Sequence, residues 1–194
     1  MSEDDEQVAG ERVAWPMERL VRLVRAREHE GNLNPAQWEA LRYLRRANRF
    51  SNSPGALTLF LGATKGTISQ TLMALERKGL ITKAPRPDEK RSIALSLTAR
   101  GEDQLAQDPW RELAESADRL GNKTRRRLAK GLRELLDSEL QRGRHKSFGQ
   151  CSTCRYFREK SRDIEAGGPH YCMLFEVALS SNDASRICLE HEPR

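Results

Sequence analysis

The sequence predicts a mainly α-helical protein that contains one small β-hairpin and ends in a short, irregular module bearing cysteines. Three observations predict this fold class. Apolar residues recur at spacings of three and four through most of the chain as far as Arg142, as in amphipathic helices. Between Leu80 and Thr98 the spacing changes to two, which is typical of a half-buried hairpin. All four cysteines come after Gln150.

The helices that precede the hairpin are predicted from the apolar pattern and from local signals for helix ends. A first helix is expected over about residues 11–30, where the apolar residues form one stripe. Asn34 and Ser53, each followed by proline, suit the N-caps of a second and a third helix. Thr64 is expected to cap a fourth helix, which ends at Gly79.

Further helices are predicted after the hairpin. Thr98 caps a short helix, and Asp108-Pro109 breaks or kinks it before a second segment. The last helix is long and carries leucines on one side, at Leu128, Leu132, Leu135, Leu136 and Leu140. Helices of this length on both sides of a compact body indicate a seam between two copies of the chain, so we expect a homodimer.

Charge and composition divide the chain into four parts. Residues 1–11 contain five acidic residues and no basic one, and are predicted to be a disordered leader. Residues 12–142 form the main domain, residues 143–146 a basic linker, and residues 147–194 a four-cysteine module. The net charge of +6 is concentrated in the middle of the chain, which favours a nucleic-acid-binding body.

Several classes of protein are disfavoured by the sequence. No run of apolar residues is long enough for a membrane span, and the acidic start is unlike a signal peptide, so we expect a cytoplasmic protein. No nucleophile with a nearby base, no phosphate-binding loop and no carboxylate pair stands out, and the four histidines are scattered. The protein is therefore not expected to be an enzyme.

The order of helix, helix, helix and hairpin is that of a winged helix-turn-helix. Three stretches carry a closer resemblance: LNPAQWEALRYL, TKGTISQTLMALERKGLI and RPDEKRSIALSLTARGE, the last with an acid, an arginine three residues later and a Leu-Thr-x-x-Gly ending. Over about residues 12–142 the chain resembles the MarR family of transcription regulators. The resemblance implies a homodimeric repressor that binds a palindromic operator in double-stranded DNA, with a small aromatic or phenolic effector as a further partner.

The chemistry of two elements gives candidate DNA contacts. The fourth helix is expected to present Lys65, Thr67, Ser69, Gln70 and Thr71 to the major groove. A glutamine can form two hydrogen bonds with adenine, and serine and threonine suit phosphates or thymine methyl groups. In the wing, Arg86 and Lys90 are expected to bind phosphates. The family resemblance implies that Asp88 pairs with Arg91 and directs it toward the minor groove.

The cysteines indicate a metal or cluster site rather than disulfides, because the protein is expected in the cytoplasm. Cys151 and Cys154 form a Cys-x-x-Cys pair, and Cys172 and Cys188 follow singly at longer intervals. The tail resembles the cluster-binding half of high-potential iron–sulfur proteins, with Tyr156-Phe157 after the first pair of cysteines. This resemblance implies a 4Fe–4S cluster on all four cysteines. The alternative is structural zinc on Cys151, Cys154, Cys188 and His191.

Three functional hypotheses follow from these features. The leading one is a DNA-binding regulator whose operator binding depends on the redox state or presence of an iron–sulfur cluster. The second is a ligand-responsive regulator with a structural zinc tail. The third, of a different class, is an electron-transfer module fused to a DNA-binding body.

Overall fold

A computed structural model of the protein describes residues 3–86, 89–160 and 167–194, and the side chains of residues 9–86, 92–160 and 167–194. Four helices come first: α1 (Glu3–Glu28), α2 (Pro35–Arg46), α3 (Pro54–Leu61) and α4 (Lys65–Arg77). The predicted caps are confirmed at the last three helices. The side chains of Asn34, Ser53 and Thr64 each accept a hydrogen bond from a backbone N–H in the first turn of the helix.

The wing is an antiparallel hairpin of β1 (Ile81–Arg86) and β2 (Glu89–Leu97). It follows α4 directly because Gly79 takes a left-handed conformation, with φ +68°, and reverses the chain. Directly after β2, the Thr98 hydroxyl donates to the Gly79 carbonyl and accepts from the Gly101 N–H. A β-carbon at Gly101 would lie 2.2 Å from the Leu80 carbonyl oxygen, so this contact requires glycine.

Three helices follow the wing: α5 (Ala99–Ala106), α6 (Pro109–Asp118) and α7 (Asn122–Arg142). The predicted break at Asp108-Pro109 is confirmed, and the Asp108 carboxylate caps α6 by accepting from the Trp110 N–H. The structure differs from the prediction at α1, which begins at Glu3 rather than near Glu11. The leader predicted to be disordered is therefore helical from Glu3, and acidic residues suit the first turn of a helix.

The main core lies between α2, α3, α4 and the wing. Its fully buried members include Leu41, Leu57, Leu72, Leu75 and Leu95. Tyr43 lies at its centre and donates a hydrogen bond from its hydroxyl to the Ser51 carbonyl at 2.6 Å. Phe148, from the chain beyond α7, is also part of this core and packs edge-on against Phe60.

A buried ion pair connects α1 to the winged helix. Arg42 of α2 lies between Glu28 of α1 and Asp108 before α6, and forms salt bridges with both carboxylates. Trp110 donates its ring N–H to Glu28 at 3.2 Å. Burial lowers the pKa of the Arg42 guanidinium, but its hydrogen bonds to Asp108 and Glu28 offset this, and the pKa is raised. The network fixes α1 and α6 against α2.

Two helices leave apolar side chains exposed. On α1, Val24 is buried, whereas Val13, Trp15, Leu20 and Leu23 are exposed. On α7, no residue from Asn122 to Arg142 is buried, although the predicted stripe of leucines is present. These faces belong to the helices that the sequence assigns to a seam between two chains.

The tail forms a small sheet, which the sequence did not predict. Strands β3 (Phe157–Arg158), β4 (His170–Cys172) and β5 (Val177–Leu179) pair antiparallel in that order, and the short helix α8 (Ser181–Ser185) follows. A single 3₁₀ turn, Cys151–Thr153, precedes the sheet. In the part of the chain that the structure describes, no helix is long and apolar enough to cross a membrane.

The tail packs against the winged helix of its own chain. Its main contact is the loop of residues 47–52, between α2 and α3. The Ile187 N–H donates to the Arg46 carbonyl at 2.8 Å, and the Asn48 N–H donates to the Ile187 carbonyl at 3.0 Å. Phe50 stacks on Phe175 with ring centroids 4.4 Å apart. The four-cysteine module thus packs directly against the helix-turn-helix.

Candidate nucleic-acid interface and cysteine cavity

Helix α4 presents most of the side chains predicted to contact DNA. Lys65, Thr67, Ser69 and Gln70 are exposed. They lie outward because Ile68, Leu72 and Leu75 occupy the opposite side of the helix and are buried in the core. The Thr64 cap ties the first turn together: its hydroxyl accepts from the Thr67 N–H at 3.1 Å. This arrangement leaves a polar helix face free for a groove of a nucleic acid.

The prediction was wrong for Thr71. Its side chain is only 8% exposed. The physical reason is the helical repeat, which places Thr71 three positions after Ile68 and four before Leu75, on the core side. Thr71 is therefore a packing residue of α4 and is removed from the candidate interface.

Three residues of the outward face were missed by the sequence analysis. Gly66, Met73 and Arg77 share this face with Gln70, at spacings of three and four. Met73 is 53% exposed, and Arg77 is exposed near the C-terminal end of α4. The signal that could have found them is the same repeat: residues between successive buried positions of α4 point outward whatever their polarity.

Arg86 is the last residue of β1, at the turn end of the wing, and is held by hydrogen bonds. Its guanidinium donates to the Arg49 carbonyl at 2.7 Å and to the Asn52 side-chain oxygen at 2.6 Å. The side chain of this predicted phosphate contact is thus tied to the loop between α2 and α3. The side chains of Asp88, Lys90 and Arg91, the other residues predicted for the wing, lie outside the described residues.

The structure brings all four cysteines to one cavity. Cys151 lies in the 3₁₀ turn, Cys154 directly follows it, Cys172 ends β4 and Cys188 follows α8. The other residues that line the cavity are apolar or aromatic, apart from one carboxylate, that of Glu190. They are Tyr156, Phe157, Leu174, Phe175 and Leu179. The two single cysteines, although distant in sequence, thus line the same cavity as the Cys-x-x-Cys pair.

The thiols in this cavity are largely shielded from water. Cys151, Cys154 and Cys188 are each 8% exposed or less. Burial, with a smaller effect from the neighbouring cysteines, raises the pKa of the Cys151 thiol to about 12. Burial also raises the pKa of Cys188, while hydrogen bonding from Asn48, the Glu190 backbone and Ser51 opposes that rise. Without a cation to bind, the Cys151 and Cys188 thiols remain protonated at neutral pH.

His191, the alternative zinc ligand, does not line the cysteine cavity. Its Nδ1 lies 2.8 Å from the Ser147 hydroxyl, and its Nε2 lies 2.9 Å from the Thr153 hydroxyl. The ring covers Gly149, where a β-carbon would lie 2.4 Å from its Cε1 atom. Both ring nitrogens are therefore engaged in hydrogen bonds, and His191 is better described as a structural residue than as a ligand.

The arrangement of the thiols limits what they can bind. Among the side chains that the structure describes, no three histidine, cysteine or acidic groups lie close enough together for one metal ion. Around a single zinc ion, sulfur atoms lie about 3.8 Å from each other, as follows from a Zn–S distance of about 2.3 Å and a tetrahedron. The four cysteines share a cavity, but no three of them meet this spacing in the described part of the chain.

The elements and the exposed face of α4 define a protein of the winged helix-turn-helix class. Residues 33–93 match the model of the MarR family. Among curated proteins, no sequence matches the chain significantly.

Solved structures agree with this fold. FabT of Streptococcus pneumoniae in complex with DNA is 19% identical, with a TM-score of 0.57, covering 70% of this chain and 98% of FabT. BldR of Sulfolobus solfataricus is 21% identical, with a TM-score of 0.54 and coverages of 71% and 99%. The complex of S. aureus MepR with DNA is 19% identical, with a TM-score of 0.51 and coverages of 65% and 94%. About a third of this chain thus lies outside each match.

Proposed function

We propose that the protein is a homodimeric, sequence-specific DNA-binding repressor whose operator binding is modulated by a 4Fe–4S cluster on Cys151, Cys154, Cys172 and Cys188. The observation that carries the cluster part is the common cavity of the four cysteines. The DNA-binding part rests on the MarR-type winged helix and on the exposed polar face of α4.

DNA binding would use the side chains that α4 exposes. Gln70 is at the middle of the outward face and suits direct contact with a base edge. Lys65, in the first turn, suits a phosphate, since the N–H groups of a helix N-terminus also favour an anion. Solved structures of MepR and FabT that share this fold contain DNA, which supports the same role for this chain.

The exposed apolar faces support a homodimer. Leu128, Leu132, Leu135 and Leu136 of α7 are each at least 39% exposed, although leucine is among the residues most often buried. A second copy of the chain would cover this face together with that of α1. Two-fold symmetry then calls for a palindromic operator with half-sites about one helical turn apart.

The residues of the cavity suit an iron–sulfur cluster. Thiolates are the ligands that clusters and zinc prefer, and the apolar wall of Phe157, Leu174 and Phe175 would exclude water from the group. In a cluster each cysteine binds a different iron atom, so the sulfurs are spread more widely than around one zinc ion. A bound cluster would supply a centre that gains and loses one electron.

A second candidate is a regulator that responds to a small molecule, with zinc in the tail. A cleft of about 890 Å³ supports it. The cleft lies between α2, α5, α6 and α8, and its walls include Trp110, Leu105 and several arginines. A planar aromatic carboxylate would suit such walls, because arginine pairs with the carboxylate and tryptophan stacks on the ring.

The deciding experiment is anaerobic purification, with a visible spectrum and assays of iron, sulfide and zinc on one sample. The cluster hypothesis expects a brown protein with iron and sulfide in about equal amounts. The Cys172→Ser variant should lose the colour, while His191→Ala should keep it. A colourless wild-type protein with one zinc per chain would refute the cluster and favour the second candidate.

A further inference from the structure

Asn48 lies where the winged helix meets the cysteine module. It follows α2, and its side chain is 1% exposed. Its N–H donates to the carbonyl of Ile187, the residue before Cys188. On the other side of Cys188, the Leu189 N–H donates to the Ser51 hydroxyl at 2.7 Å. These two bonds hold Cys188 beside the loop of residues 47–52.

The hydrogen bonds of Asn48 fix the direction of its amide group. Its side-chain oxygen accepts from the N–H groups of Phe50 and Ser51, each at 3.1 Å. The Nδ2 atom therefore points away from these two donors. It is buried and has no hydrogen-bond partner among the residues that the structure describes. A buried donor left without a partner is unusual, and it indicates a missing acceptor.

The acceptor that the backbone bonds bring beside this loop is the sulfur of Cys188. The Asn48 side chain opposes the rise that burial causes in the pKa of the Cys188 thiol, so it favours the thiolate. A neutral thiol is a weak acceptor, whereas a thiolate bound to a metal carries more negative charge and accepts N–H groups more strongly. A donor at this position would be better satisfied if Cys188 acted as a ligand.

We propose that Asn48 is part of the cofactor site: its Nδ2 donates a hydrogen bond to the ligand sulfur of Cys188, and through the 47–52 loop it links that site to the wing. This inference rests on the proposed role of Cys188 as a ligand. It assigns a function to a residue of the winged helix rather than of the cysteine module.

The loop reaches the wing through hydrogen bonds on its other side. Arg86 of β1 donates to the Arg49 carbonyl and to the Asn52 side chain. Asn52 also pairs with Leu95 of β2 in both directions, at 2.8 and 3.0 Å. One short loop therefore contacts Cys188 on one side and both strands of the wing on the other. A change in the Asn48–Cys188 hydrogen bond would shift the backbone to which the wing is attached.

The test compares wild type with Asn48→Ala and with Asn182→Ala, a control at an exposed asparagine of α8. Each protein is reconstituted anaerobically with iron and sulfide, and its reduction potential is measured by spectroelectrochemistry. Hydrogen bonds to cluster sulfurs raise the potential, so Asn48→Ala should shift it to more negative values and Asn182→Ala should leave it unchanged. Thermal unfolding of each variant shows that it is folded.

The same variants are tested for DNA binding and, with zinc, by nuclear magnetic resonance. On duplexes selected by the wild-type protein from a random pool, the affinity ratio between the loaded and the cofactor-free protein should fall toward one in Asn48→Ala only. If the site takes zinc instead, one side-chain amide proton of Asn48 should move downfield when zinc is added to the wild-type protein.

The outcomes separate this inference from the proposed function. A wild-type protein that takes up neither iron and sulfide nor zinc would overturn both. A wild-type protein that loads, with an unchanged potential in Asn48→Ala, or with an unmoved Asn48 amide proton when zinc is bound, would overturn the role of Asn48 alone.

Discussion

At the scale of single residues, Gln70 is the side chain on the outward face of α4 that we expect to contact a base of the operator. Its side chain is exposed and contributes nothing to the core, so Gln70→Ala should leave the fold intact. If Gln70 binds a base edge, the substitution should cost about 1–3 kcal/mol of operator binding and relax the preference for that base pair. The measurement is a titration of selected and mutated operator duplexes at one fixed salt concentration.

Thr71 provides the matched control on the same helix. Because it is buried, Thr71→Val replaces it with a side chain of nearly the same shape and leaves the DNA-facing surface unchanged. Operator affinity should therefore remain at the wild-type value. A large loss in Thr71→Val, with none in Gln70→Ala, would mean that α4 presents a different face to DNA.

The buried ion pair gives a second prediction at this scale. In Arg42→Met, the Glu28 carboxylate, 2% exposed, would lose its positive partner, and we expect a loss of about 3–5 kcal/mol in unfolding free energy. Urea denaturation measures it. The control is Arg22→Met, which breaks the exposed pair with Glu18 and should cost at most about 1 kcal/mol. Equal effects of the two substitutions would contradict the structural role of Arg42.

At the scale of elements, α7 is amphipathic, but none of its residues is buried in the described part of the chain. Leu136 is 55% exposed, so Leu136→Glu should not disturb the single chain but should introduce a charge into the seam of a dimer. We expect sedimentation analysis to show the wild type as a dimer and this variant as a monomer at the same concentration. Gln141→Glu, on the opposite side of α7, is the control and should remain dimeric.

The helices and the wing could be predicted from sequence because their signals are local. The caps at Asn34, Ser53 and Thr64 and the turn at Gly79 each act within a short stretch of the chain. The sheet of the tail could not be predicted in this way. Strands β3 to β5 are too short for an alternating pattern to be recognised.

The candidate sites show the same limit. The cysteines could be identified as candidate ligands because residue type and spacing can be read from the sequence without knowledge of the fold. The burial of Thr71 follows from the helical repeat, which can be read from the sequence. The prediction instead placed Thr71 on the exposed face because its side chain is polar. The role of Asn48 depends on its contact with Ile187, which lies near the other end of the chain, and no local pattern reports such a contact.

At the scale of the whole molecule, the tail completes the core of the winged helix. Phe148 is 6% exposed and packs against Tyr43 and Phe60. Phe148→Ala should therefore lower the unfolding free energy by about 3–5 kcal/mol, although the residue lies outside the winged helix in sequence. The measurement is urea denaturation of the full chain without a cofactor.

A control variant shows whether the effect of Phe148→Ala comes from the winged-helix core or from weaker attachment of the cysteine module. Phe175→Ala removes the ring that stacks on Phe50 at the half-exposed outer contact of the module. Phe175→Ala should lower the unfolding free energy by less than Phe148→Ala does. It should leave the α-helical signal in the far-ultraviolet circular dichroism spectrum unchanged. If Phe148→Ala is as mild as Phe175→Ala, the tail is only attached to the winged helix and does not complete its core.

The position of Phe148 also has a consequence for the making of the protein on the ribosome. Chains are synthesised from the N-terminus, and domains generally fold in that order. Here the core formed between Leu33 and Leu105 gains its last aromatic ring only at Phe148, and its contacts with Ile187 and Leu189 only after those residues have been added. A nascent chain that stalls before the cysteines thus lacks part of the winged-helix core. We therefore expect such incomplete products to bind DNA poorly and to be cut readily by proteases.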